Sequence, residues 1–137
     1  LYWEEKDYAD PLWNNGDVYF KVYVYDERGH LLDFEITGVY DNVKKAENLT
    51  SITLSIPDNI RYVQVKIEAW DSDWPTEDEQ YDISEELESQ ALIINYDMLS
   101  GFMEVKSDGD ADGSTADIDG LIKIGLQVIA SEVVPIL

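Results

Sequence analysis

The chain has 137 residues, 45% of them hydrophobic and 12% aromatic. It is long enough for one domain with a substantial core, and wholesale disorder is excluded. Thirty acidic residues against nine basic ones give a formal net charge of −21, which excludes recognition of nucleic-acid phosphates by a basic face and disfavours charge-driven docking onto anionic lipid. The absence of cysteine removes disulfides, zinc–thiolate sites and cysteine nucleophiles together. Bound cations, a saline environment or simple solubility all produce such acidity. Here the acidic residues cluster in loops, which favours cations. No apolar run reaches the length of a membrane span. The chain begins at Leu1 and not at methionine, so a leader or preceding segment is expected to have been removed.

In chain order, Leu1–Tyr8 is expected to be a first strand, followed by a loop over Ala9–Asp17 with a strong Asn15-Gly16 turn signal. Val18–Tyr25 is dense in β-branched and aromatic residues and predicts a strand. Asp26–His30 reads as a hairpin turn, and Leu31–Tyr40 as the return strand, bent near Gly38. Asp41–Asn48 is a polar connection. Leu49–Ile56 alternates strictly, with Ile52, Leu54 and Ile56 inward, and predicts another strand. Tyr62–Trp70 alternates Val63, Val65, Ile67 and Ala69 against Gln64, Lys66 and Glu68, which makes it the central strand. The acidic stretch Asp71–Asp82 contains Pro75 and is expected to be a loop. Ser84–Ser89 fits a short helix with Ser84 as its N-cap. Strands are then expected over Ala91–Tyr96, Phe102–Val105 and Leu121–Ile129. A second acidic stretch spans Ser107–Asp119, and Val133–Leu137 is an apolar tail. About eight strands with regular turns and almost no helix predict an all-β fold, a single antiparallel β-sandwich domain over residues 1–137.

The chemistry lies in the two acidic stretches. Asp71, Asp73, Glu77, Asp78, Glu79 and Asp82 place six carboxylates within twelve residues. Their mutual repulsion is relieved by a hard divalent cation, because calcium takes six to eight oxygen ligands in irregular geometry. The plain alternative is a solvated acidic loop. The second stretch runs Asp108-Gly109-Asp110-Ala111-Asp112-Gly113-Ser114-Thr115-Ala116-Asp117-Ile118-Asp119. It has Asp at positions one, three and five, Gly at six and Asp at twelve, the spacing of a calcium loop.

That second motif resembles the D-x-D-x-D-G loops of EF-hands, dockerins and thrombospondin-type repeats. It departs from them in having Asp119 where EF-hands place Glu, and in having no helix before it. The ligand pattern of Asp108, Asp110, Asp112, Asp117 and Asp119 therefore carries over without the helix-loop-helix fold. The first stretch, a strand ending Trp70-Asp71-Ser72-Asp73 with Asp78 and Glu79 further on, resembles the third calcium loop of C2 domains. Asp10 and Asp17, before Val18-Tyr19-Phe20-Lys21-Val22, resemble the first loop of that family. The resemblance implies a C2-like sandwich with Asp10, Asp17, Asp71, Asp73 and Glu79 around shared calcium ions, Asp82 adding a further ligand. Glu79 stands where the family usually has Asp, and Gln80–Ser84 departs from its following residues.

Other candidates are weaker. His30 is the only histidine and reads as an exposed turn residue, without the placed nucleophile that a serine triad needs. Paired carboxylates can serve a glycosidase, but contiguous loops suit ion binding better, so an enzyme is not expected. Trp3, Trp13, Trp70 and Trp74 are read as core or loop plugs before a sugar platform. Asn48-Leu49-Thr50 is a glycosylation sequon, with Asn48 as its acceptor. Two function classes follow. One is an extracellular or cell-surface structural subunit, a homo-oligomer or homopolymer forming filaments or tubes, with calcium-stabilised loops. In this class Val133, Val134, Ile136 and Leu137 add as a strand to a neighbouring copy. The other is a calcium-dependent module that binds glycan or lipid for a larger surface protein.

Overall fold

The computed structural model describes residues 1–6, 16–73, 77–112 and 118–129. The fold is all-β. Among the described residues nine strands run in chain order as β1 (Tyr2–Glu5), β2 (Val18–Tyr25), β3 (Leu31–Ile36), β4 (Lys45–Ala46), β5 (Tyr62–Asp71), β6 (Glu79–Asp82), β7 (Leu92–Asp97), β8 (Met103–Asp108) and β9 (Ile118–Leu126). They form one mixed sheet in the order β3-β2-β5-β6-β9-β1-β4, with β7 also pairing on β5 and β8 on β9.

β5 organises the assembly. It pairs antiparallel with all of β2, from Val18 opposite Asp71 to Tyr25 opposite Gln64. Its other edge is shared: β7 takes Tyr62–Ile67, and β6 takes Ala69–Asp71. The expected alternation is met, since Val63, Val65, Ile67 and Ala69 are buried, as are Val18, Phe20, Val22 and Val24 opposite them. The β1/β9 part of the sheet folds over this surface. Trp3 reaches across to Phe20 with ring centroids 5.6 Å apart and to Tyr81 at 4.8 Å, both edge-on. Burying an indole of this size removes roughly 150–250 Å² from water, so Trp3 is a principal fastening between the two layers.

Several expectations need correction. The predicted strand over Leu49–Ile56 joins no ladder among the described residues. Its alternation is real, with Ile52, Leu54 and Ile56 half-buried against the core. Apolar alternation reports which side chains turn inward, and that does not require a hydrogen-bonding neighbour. The short polar connection before it contributes β4, which pairs with β1. Ser84–Ser89 is a turn and not a helix. The Ser84 hydroxyl accepts from Glu86 N at 3.0 Å, and Ile83 N donates to Gln90 O, so the segment closes on itself. Six residues are in any case too few to sustain a helix by themselves. The acidic stretch after Asp71 is not all loop, because Glu79–Asp82 is β6, and β6 pairs parallel with β9, so the sheet is not purely antiparallel. β9 also begins three residues earlier than expected, which places Asp119 inside a strand. His30 is exposed, as expected, with Nδ1 3.3 Å from Asp26. Asp10, Trp13, Trp74, Asp117 and the tail Val133, Val134, Ile136 and Leu137 lie outside the described residues.

Gly120 leaves room for the layer contact. A Cβ there would overlap the six-membered ring of Trp3 and approach Ile83 to 3.3 Å. Gly120→Ala is expected to destabilise the fold by about 1–3 kcal/mol in denaturant unfolding, the usual range for overpacking a core. Gly38→Ala, with nothing within 4 Å of the added carbon, should change stability little.

Candidate metal centre

The register of β2 on β5 brings the end of β5 to the start of β2, and β1 supplies the third side of the same corner. Alternation on β1 turns Trp3 and Glu5 inward together, and both are fully buried. Glu5 Oε2 accepts from Gly16 N at 2.8 Å and from the Tyr81 hydroxyl at 3.1 Å. Asp71 is buried as well, its Oδ1 accepting from Asp17 N at 2.8 Å. A Cβ on Gly16 would overlap the Tyr81 hydroxyl and lie 3.0 Å from Glu5 Oε2 and 3.1 Å from Asp71 Oδ1. Two carboxylates and a phenol therefore converge beside one residue that has no side chain.

The electrostatics of this corner are like-signed. Burial raises the Asp71 carboxyl to about 7; its bond from Asp17 N opposes the rise, and the neighbouring Asp73 and Glu5 carboxylates add to it. Asp71 Oδ2 is buried with no hydrogen-bond partner among the described residues. Asp73 lies within hydrogen-bonding range of Asp71, but an ionised carboxylate only accepts. The two groups can share a proton or share a cation. Burial also raises the Tyr81 phenol, with Glu5 and Asp71 contributing, so it stays a neutral hydroxyl. Among the described residues no three His, Cys, Asp or Glu side chains are drawn to one point at full metal-ligand spacing.

The remaining expected ligands of the first stretch take different positions. Asp17 braces the neighbouring loop, Oδ1 accepting from Asn42 N at 2.7 Å and its carbonyl from Ser72 N at 2.9 Å. Asp78 Oδ1 accepts from Asp73 N at 3.1 Å, and Oδ2 from the Tyr19 hydroxyl at 2.5 Å. The Tyr19 bond holds the Asp78 carboxyl below its ordinary range. Asp78 thus closes the loop onto Asp73, while Glu79 pairs with Asp71 across the ladder and remains exposed.

The second acidic stretch meets the first one strand away. Asp82 of β6 pairs with Asp119 of β9, and both are buried. Tyr81 faces Trp3, so strand alternation turns Asp82 and Asp119 to the opposite face. Asp82 Oδ1 accepts from Ser84 N at 2.9 Å. Gly109 opens the 3-10 turn Gly109–Asp112 over this pair; a Cβ on it would overlap the Asp82 carbonyl and lie 3.2 Å from Asp119 Oδ1. Asp108 ends β8, its Oδ1 accepting from Asp110 N at 3.1 Å and its Oδ2 3.9 Å from Lys6 Nζ. Asp110 is exposed, Asp112 closes the 3-10 turn, and Asp117 lies outside the described residues.

Glu5 is the site residue that the sequence reading missed. The signal was present: two residues after a tryptophan on a strand, a glutamate shares the buried face. Compared with protein-family models, curated proteins and solved structures, the chain matches none of them.

The raised Asp71 carboxyl has a signed consequence. A group whose folded pKa lies above its unfolded value contributes stability at low pH and loses it as pH rises through the folded value. In chelator, the Asp71 contribution should be fully present below the ordinary value of 3.8 and lost by a pH above about 7. The melting temperature of the parent is expected to fall across that window relative to Asp71→Asn, which cannot ionise. Parallel melting curves for the two proteins from pH 4 to pH 8 would contradict this.

Proposed function

We propose that the protein is a non-enzymatic, extracellular calcium-binding structural subunit that assembles with copies of itself. The observation that carries the calcium reading is the buried Asp71, with an oxygen unsatisfied among the described residues and like charges acting on it from Asp73 and Glu5. A hard cation with oxygen ligands is the chemistry that fits this donor set. Asp71, Asp73 and Glu5 would hold it, with Asp10 as the expected contribution of the first loop. Asp82, Asp119 and Asp108 are the corresponding donors for the second stretch, where Lys6 already stands beside Asp108. The likeness to C2 domains belongs to this reading through Asp71 and Asp73 at the strand end.

Assembly is supported by a different part of the molecule. Between the layers lies a cavity of about 760 Å³ whose apolar lining includes Val22, Val24, Val63, Val65, Ile124 and Leu126. It is flanked by the 49–56 segment, whose backbone joins no ladder among the described residues. An apolar strand laid there meets apolar walls and backbone groups able to pair, which is the chemistry of strand addition. The Val133, Val134, Ile136 and Leu137 tail has the matching composition. Asn48, exposed on the rim of the cavity with a positive φ of 49°, is the expected glycan acceptor. The alternative of a calcium-dependent glycan or lipid module keeps the same ion site.

Calcium at about a hundredfold over its dissociation constant should add roughly 2.7 kcal/mol per site, or about 10 °C in melting temperature for a chain of this size. Chelation at constant ionic strength is expected to remove it, and an unchanged melting curve would reject the calcium reading. In millimolar calcium the intact protein is expected to form large particles by light scattering. Deletion of Val133–Leu137 should leave a folded monomer. An intact protein that stays monomeric at high concentration would return the reading to a binding module.

A further inference from the structure

The cavity between the layers has the outline of a missing strand. β9 keeps β8 on one edge as far as Leu126 opposite Met103. On its other edge β1 stops pairing at Tyr2 opposite Lys123, and the same register puts Leu1 opposite Ile124. Leu1 is held to the 49–56 segment, its N donating to Thr50 O at 3.2 Å and its carbonyl accepting from Leu49 N at 2.8 Å. Past Leu1 the two sides stay apart. Gly125–Val128 on one side and Ser51, Ile52 and Leu54 on the other line the same cavity, and among the described residues no strand pairs with either across it. The floor is apolar, built by the buried Val22, Val24, Val63 and Val65 of the facing layer. A strand in line with β1, antiparallel to β9, fits this gap.

We propose that in the monomer the chain's own tail fills this gap, and that self-assembly requires its release. The inference rests on the strand-addition reading above and adds its regulation. Position selects the occupant. β9 runs to Leu126, and the next residues, Gln127 and Val128, line the cavity, so residues 130–137 depart from its rim. A four-residue turn over 129–132 lies within the usual range for a hairpin. It sets Val133 opposite Val128 and Ile136 opposite Gly125, so the returning strand spans the open edge of β9 and stops at Leu1. Directly opposite residues share a face. Val133 and Pro135 therefore follow Val128 and Leu126 over the valine floor, while Val134 and Ile136 follow Gln127 and Gly125 outward. A tethered strand acts at about millimolar effective concentration, so a neighbour's tail enters only as this one leaves. Pro135 has no N–H for either flanking strand, which thins the ladder and keeps the closure reversible. Assembly is then an exchange of identical strands between copies.

The test is disulfide trapping in the full chain, which has no cysteine of its own. Q127C/V134C puts two thiols at opposed, outward positions of the hairpin, where Cα atoms about 4.5–5.5 Å apart are within reach of a disulfide. Q127C/V133C turns the second thiol to the inward face. Circular dichroism checks that both variants are folded. Mild oxidation of the dilute protein, before assembly, is expected to give an intramolecular disulfide, read as a monomer-sized product. Q127C/V134C should form it at least about tenfold faster than Q127C/V133C, because Cβ vectors that point apart are not bridged without backbone movement. In millimolar calcium the oxidised Q127C/V134C should stay monomeric by light scattering and assemble once reduced. Disulfide-linked dimers in place of the intramolecular product put a neighbour's tail in the gap and overturn the proposal. Equal trapping rates for the two pairs, or assembly of the oxidised protein, overturn it as well. A parent that never assembles rejects the assembly reading; register-specific trapping then still upholds the closure, and its absence overturns it.

Discussion

A buried carboxylate that receives one hydrogen bond and faces other carboxylates has few stable forms. Asp71 accepts from Asp17 N at Oδ1, and its Oδ2 is buried without a donor among the described residues, with Asp73 and Glu5 acting on it as like charges. Either a proton or a cation must be held between such groups. Much of the surrounding structure follows from that corner. Gly16 occupies it because Tyr81, Glu5 and Asp71 fill the space a side chain would need. Tyr81 remains a neutral donor and satisfies Glu5. The pairing of Val18 with Asp71 fixes the corner relative to the longest ladder of the sheet.

The same corner is joined mechanically to the core. Trp3 and Glu5 lie two residues apart on β1, one packed on Phe20 and Tyr81, the other bonded to Gly16 and Tyr81. Whatever settles the charge on Glu5 and Asp71 therefore bears on the contact between the layers. The parallel pairing of β6 and β9 extends the connection to the second acidic stretch. Asp82 and Asp119, drawn from sequence segments that read as separate loops, are neighbours in one ladder. In the calcium reading, ions act on the fold at its closure, where β1, β5, β6 and β9 meet.

The strands dense in alternating apolar residues were legible, and β2 and β5 fall where the alternation puts them. Their signal is strong because both faces are decided by burial. Leu49–Ile56 carries the same alternation without a ladder partner among the described residues, so periodicity found the inward side chains and not a ladder. The helix expected at Ser84 failed because a serine that caps a helix equally well closes a turn. β6 was hidden within an acidic stretch, since its pairing with β5 and β9 is decided by distant residues. Of the site, the aspartates were read from spacing, and Asp71 was placed correctly at a strand end. Glu5 was passed over because it is distant from both motifs in sequence. Its role appears only when β1 is laid beside β9, with Glu5 opposite Gly120.

In the proposed calcium reading, Asp71 and Asp73 exchange a shared proton for a cation. Calorimetric titration of the full chain with calcium, repeated at pH 6 in buffers of different ionisation enthalpy, counts the protons released on binding. Burial holds Asp71 protonated to about pH 7, so binding should release about one proton per ion at pH 6 and fewer as the pH rises above 7. Calcium binding with no proton release at pH 6, or no calcium binding at all, would contradict the account.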